Sequence, residues 1–272
     1  MGSNTNCTVS GIKFVRKFRG KSQAALIEAN DNQQYVVKWM SEHGSTASPH
    51  KEAFRNSLYQ VLGLPVSSWT PIEIQDQLID SFPEMRIDSA AGPIRPAAGI
   101  YFGSRNVSHP LGRSYEALPA NWYPRVVNRE DFWRAFVFDI WTERLDRRQA
   151  IFTSFGDKSD LMAVFIDHGD PSTPLKSEPG LFPCLYPDMR VYLEFQKIEI
   201  IRDSVAQILR HGRDAVAIAH ETLPSEWKSS SLDSDMKRFI SRIYELPKAH
   251  FWGEFKRDPH QEIALCNFVR SA

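Results

Sequence analysis

The sequence has too few cysteines for a disulfide framework. Cys7, Cys184 and Cys266 are odd in number, far apart and never in a C-x-x-C pattern, which leaves no thiolate zinc site and points to a reducing compartment. Long apolar runs are missing as well: no segment reaches the ~18 residues of a membrane helix. Residues 1–10 lack the apolar core of a signal peptide, and Asn6 stands where a myristoylation signal needs Ser or Thr. A soluble, cytoplasmic protein with no membrane partner is the expectation. Charge of one sign is absent too, because 33 basic and 33 acidic side chains cancel. The electrostatic footprint of a nucleic-acid binder is therefore lacking, and no direct nucleic-acid partner is expected. The eight histidines form no H-E-x-x-H, and no G-x-S-x-G elbow occurs, so zincin and α/β-hydrolase chemistry have no carrier.

The 272 residues are 42% apolar and 24% charged, enough for a real core and, at this length, for two lobes sharing a cleft. Short apolar runs at residues 15–19, 25–29 and 35–40 predict three strands of an antiparallel meander, punctuated by Gly20-Lys21-Ser22 and Asn30-Asp31-Asn32. Phe54, Leu58, Val61 and Leu62 keep the spacing of one buried helical stripe, which Gly63 and Pro65 end. Residues 70–79 are expected to be extended, and the Pro/Gly/Ala-rich stretch 89–99 has the composition of a linker. This sets the expected boundary between an N-terminal lobe, 1–95, and a C-terminal lobe, 96–272. In the latter, residues 132–141 are apolar all round and predict a buried helix. A hairpin is expected over 150–155 and 161–166, and helices over 191–211 and 232–246.

Gly20-Lys21-Ser22 is no Walker A motif, since Val15 stands where its first glycine belongs. A turn between two strands can still cradle phosphate with backbone N–H groups, so Gly20, Ser22 and Gln23 are candidates for a nucleotide lid. Lys38 shares a strand face with Val36 and Met40, a lysine among apolar neighbours. Glu52 lies in the first turn of the following helix, about 200° around from Phe54, away from the core stripe. Asp146 follows the buried helix, and Asp167-His168-Gly169 follows the hairpin. That is the order in which kinase folds present a catalytic aspartate and a magnesium-binding one. The chemistry needs both: one carboxylate accepts or orients the acceptor's proton, the other holds the cation that neutralises the phosphates.

These residues resemble the compact HipA-like members of the atypical kinase group that also contains the phosphatidylinositol kinases. The resemblance covers most of the chain and rests on Gly20-Lys21-Ser22-Gln23, Tyr35-Val36-Val37-Lys38, Glu52 with Leu62-Gly63-Leu64-Pro65, and Phe102-Gly103-Ser104. It continues through Asp146-Arg147-Arg148-Gln149, Ile166-Asp167-His168-Gly169 and Leu223-Pro224-Ser225-Glu226-Trp227. It implies an α+β, bilobal protein-kinase-like fold, with a strand-rich N-lobe, a mainly helical C-lobe and no extra N-terminal subdomain. It further implies ATP and Mg²⁺ as cofactors, with Lys38 on the α- and β-phosphates, Glu52 holding the lysine, Asp146 catalytic, Asp167 on the metal and Val36 lining the adenine pocket.

One position departs from the kinase pattern. Five residues after the catalytic aspartate, where a second metal-binding asparagine belongs, stands Ile151. Gln149 or Asp170 could supply the oxygen instead. Arg144, Arg147 and Arg148 could contact phosphate or form a solvated ion-pair cluster. The expected activity is transfer of the γ-phosphate of ATP to a hydroxyl of an unidentified protein or small molecule. The alternatives are a nucleotide-binding regulator that has lost transfer, or another transferase such as an adenylylating enzyme on the same scaffold.

Overall fold

The computed structural model describes residues 7–19, 22–39, 49–107, 112–144, 146–155, 160–169, 185–193 and 196–246. Three strands, β1 (Val9–Lys17), β2 (Ala25–Ala29) and β3 (Gln34–Val37), form the expected antiparallel meander. They close into a five-stranded barrel with β4 (Trp69–Ile74) and β7 (Gly99–Arg105), in the order β1-β2-β3-β7-β4. The barrel interior is apolar because alternate residues point inward: Ala25, Ile27, Tyr35, Val37, Ile72 and Ile74 form one buried cluster. At Gly11 the strand passes from β4 to β2. A Cβ there would lie 2.8 Å from Ile74 Cδ1 and 2.9 Å from Ile27 Cγ2, so only glycine allows the approach.

Two expectations fail in this part of the chain. Residues 70–79 are not one extended run, because α2 (Asp76–Ser81) begins directly after β4. The stretch 89–99 is not an inter-lobe linker: β5 (Ile87–Ser89) and β6 (Gly92–Ile94) form a hairpin. The strand that follows, β7, pairs with both β3 and β4. The strand-rich part therefore runs through Arg105, past the boundary expected at residue 95.

Helix α1 (Pro49–Val61) stops at Gly63, whose φ of 77° is left-handed. Gly63 N–H donates to Gln60 O at 3.0 Å and Leu64 N–H to Tyr59 O at 3.0 Å, the paired bonds of a Schellman stop. The helix has more than the single buried stripe expected: every residue from 52 to 59 is buried, while Val61 is 41% exposed. The barrel covers one side and the C-terminal helices the other. Phe54 stacks on Phe239 with ring centroids 5.9 Å apart, and His50 on Trp227 at 4.5 Å. Lys51 pairs with Asp235 at 3.0 Å.

The remainder is built on α3 (Glu130–Trp141), buried nearly all round as its composition requires. It is followed by the hairpin of β9 (Gln149–Phe155) and β10 (Met162–Ile166), to which β8 (Gly112–Tyr115) adds a third strand. The helix expected over 191–211 starts later and runs further, as α4 (Lys197–Glu221). Last comes α5 (Ser230–Arg242), capped by Ser229. No helix among the described residues is long and apolar enough to cross a membrane.

Candidate active site

The site forms where β3, α1 and the turn after β10 meet. Lys38 sits one residue past the end of β3 rather than within it. It keeps the strand's alternation, so it shares the barrel's outer face with Val36. Opposite Val36 lie Leu26 on β2 and Ser104 on β7. Leu26 is 4% exposed, an outer-face apolar residue that the sequence reading did not single out.

Lys38 Nζ donates to both oxygens of Glu52, at 2.8 and 2.9 Å, and to Asp167 Oδ1 at 2.6 Å. One ammonium thus joins strand, helix and turn. Burial works against its charge, but the Glu52 and Asp167 carboxylates outweigh it and raise the lysine above its ordinary range. Burial raises Glu52, with Lys38 opposing. Asp167 is held below the usual carboxylate range in spite of burial, chiefly by Lys38. Glu52 also accepts from the backbone N–H of His168.

Asp167 adopts a left-handed φ of 54°, a conformation that costs a non-glycine residue about 1–3 kcal/mol and persists only where its surroundings impose it. Here they do. Its carboxylate takes Lys38 on one oxygen and Gln149 Nε2 on the other at 2.8 Å, and its carbonyl accepts from Arg144 Nη2 at 2.8 Å. His168 is buried, and Arg148 Nη1 lies 3.0 Å from its Nδ1. Arginine can only donate, so Nδ1 accepts and the ring's proton is on Nε2. Burial, then Arg148, hold the imidazole neutral, well below its ordinary pKa.

Asp146 lies in the loop between α3 and β9, half-buried, with Oδ1 accepting from Arg147 N–H at 2.8 Å. Gln149 and Ile151 share the outward face of β9, whereas Ala150 and Phe152 face the core. Gln149 therefore comes from the same face as the position where kinases carry asparagine. Of the two readings of the three arginines, the solvated ion-pair cluster does not fit. Arg147 is exposed, but Arg144 and Arg148 are each 1% exposed. Arg148 is paired through Nε to Asp139 Oδ2 at 3.0 Å and through Nη2 to Oδ1. Arg144 donates to main-chain carbonyls. Neither is a solvated ion-pair residue.

Lys38, Glu52, Gln149 and Asp167 are brought together, and Asp146 is joined to them through Arg144. The lid residues are not. Ser22 is exposed, and Gln23 exchanges both amide hydrogen bonds with the Asp88 backbone, at 2.8 and 2.7 Å. That ties the β1–β2 turn to the β5–β6 hairpin instead of presenting the side chain for a ligand. Gly20, Lys21 and Asp170 lie outside the described residues.

No protein-family model matches the chain, and no curated protein matches it in sequence. Solved structures do. The proinflammatory kinase CtkA of Helicobacter pylori has a TM-score of 0.58 at 12% identity, over 93% of this chain and 100% of that one. The Golgi casein kinase has a TM-score of 0.49 at 14% identity, over 89% and 73%. HipA of Shewanella oneidensis MR-1, solved with HipB and operator DNA, has 0.48 at 10% identity, over 94% and 68%. These last two fall too low to argue from, and the identity to CtkA speaks for fold alone. The chain has a kinase-like α+β fold, consistent with the HipA-like resemblance of its motifs.

Proposed function

We propose that this chain is an ATP- and divalent-cation-dependent phosphotransferase that moves the γ-phosphate to a hydroxyl of a protein or small molecule. The observation that carries the reading is Lys38 Nζ, hydrogen-bonded at once to Glu52 and to Asp167. In phosphoryl transfer the protein contributes positioning and charge neutralisation rather than covalent chemistry. A charged lysine fixed by a buried glutamate suits the α- and β-phosphates, and Val36 with Leu26 offers an apolar surface for the adenine. Asp146, on its own loop, would orient the acceptor hydroxyl and take its proton.

The donor set fits a hard cation. Among the described residues no three His, Cys, Asp or Glu side chains converge on one point. Mg²⁺ commonly takes only one or two protein oxygens and completes its shell with phosphate and water. Asp167 would supply one, and Gln149 a second once its amide gives up the Nε2 hydrogen bond to Asp167 and turns its oxygen inward. When bound, the cation would neutralise charge on the β- and γ-phosphates.

Ile151 favours a second reading. A hydrocarbon where kinases place a ligand suits a protein that binds nucleotide without transferring phosphate. Adenylylation would use the same cradle and release pyrophosphate. Calorimetric titration of ATP with and without Mg²⁺, on the wild type and Asp167→Ala, followed by analysis of the nucleotide products, separates the three. Mg²⁺-dependent binding lost in the variant, with ADP as product, is expected. Binding without product would favour the regulator, and pyrophosphate the adenylylating enzyme. The absence of binding under all conditions would overturn all three.

A further inference from the structure

Arg144 is a buried cation that the chemistry above leaves unused. Among the described residues its side chain hydrogen-bonds to no carboxylate. Nη1 donates to Asp146 O, and Nη2 to Arg147 O at 3.0 Å and Asp167 O at 2.8 Å, while Nε is buried without a partner. Burying a guanidinium whose hydrogen bonds go to carbonyls is costly, and here burial and the neighbouring Arg148 outweigh the more distant pull of Asp139 and Asp167. Such a cost calls for a compensating role. The acceptors belong to the two segments that carry the candidate catalytic carboxylate and the candidate cation ligand, the latter 23 positions along the chain from Arg144. A guanidinium is a rigid planar fork, so carbonyls held by its nitrogens keep a set spacing.

The other contacts to Asp167 differ in kind. Lys38 and Gln149 hold it by the carboxylate, the group that must change partners when a cation enters. Arg144 holds it by the carbonyl, which need not change. Resting on the phosphotransferase reading, the geometry points to Arg144 as a positioning residue that fixes Asp146 relative to Asp167 while the Asp167 carboxylate exchanges Lys38 and Gln149 for a cation.

The test compares wild type, Arg144→Ala and Arg144→Lys by amide hydrogen exchange, Mn²⁺ titration with ADP followed by electron paramagnetic resonance, and steady-state turnover of ATP. For Arg144→Ala the expectation is lost protection confined to 146–149 and 167–169, with protection in α3 kept. Mn²⁺·ADP affinity and nucleotide KM should stay within about threefold, while kcat falls about 100-fold, the scale of a small misplacement of reacting groups. Added guanidinium should restore part of kcat where sodium chloride at equal ionic strength does not. Arg144→Lys, which keeps the charge but not the fork, should remain slow, and it replaces the alanine variant in every arm if that variant does not fold. Protection lost throughout α3 and α5, or unchanged exchange with unchanged kcat, would overturn the proposal. A wild type that binds Mn²⁺·ADP but turns over no ATP would sink the phosphotransferase reading instead, and the exchange data would still decide whether Arg144 ties the two segments.

Discussion

Asp139 and Arg148 are both almost wholly inaccessible to solvent, and each would be an expensive orphan without the other. Asp139 also accepts from Tyr59 OH at 2.8 Å, so α1 and α3 both meet the loop before β9 through one carboxylate. Asp139→Leu should destabilise the protein by about 3–5 kcal/mol, because it leaves a buried guanidinium without its counter-charge. Asp139→Leu combined with Arg148→Met should recover much of that loss, as chemical denaturation of the two variants would measure. Single residues also show what a sequence can disclose. Lys38, Glu52, Asp146 and Asp167 were legible because carboxylate and lysine chemistry is written in residue type and order. The work of Arg144 was not, since its partners are main-chain carbonyls, which every residue has and no sequence marks.

Among the elements, α1 has the most exposed dependence on one residue. Gly63 stops it in a left-handed conformation, and a Cβ there would meet only Arg134 Nη2, at 3.5 Å. Gly63→Ala should therefore cost only the backbone preference, about 1–2 kcal/mol, with Gly63→Asn milder, as melting curves of the two would show. At the other end of α1, burial holds the His50 imidazole below its ordinary pKa against the pull of Glu226. A group whose pKa is depressed on folding stabilises above its unfolded value and loses that contribution below it. Stability should thus fall as pH drops through about 6.5, by at most ~1.4 kcal/mol per unit for one proton. His50→Phe should reduce the loss of stability between pH 7.5 and 5.5 in denaturant titrations, leaving the share that buried His168 contributes with the same sign. Elements differ in legibility for a physical reason. Helices and the β9–β10 hairpin bond within or next to themselves, whereas β7 finds β3 and β4 across long stretches of chain. Composition alone made the preceding hairpin look like a linker, because tight turns and linkers share glycine and proline.

Among the described residues, most of the buried apolar side chains fall into two clusters. The barrel interior forms one, while Phe54, Leu58 and Tyr59 of α1, with Leu62 just after it, join the C-terminal helices in the other. Lys38 comes from the first body and Glu52 and Asp167 from the second, so a nucleotide bound among them would bridge both. Saturation with Mg²⁺·ADP at about a hundred times its dissociation constant should add ~2.7 kcal/mol to stability. Asp167→Ala should abolish that gain in thermal shift measurements with and without the metal.

The burial of α1 from residue 52 to 59 has a further consequence. A helix held by aromatic stacks, an ion pair and the C-terminal apolar core would have to break all of these to swing outward. The glutamate it carries is held by packing that does not depend on a bound nucleotide. On the phosphotransferase reading, any control that leaves this packing intact acts through supply: how much nucleotide and acceptor reach the cleft, or what else arrives there first.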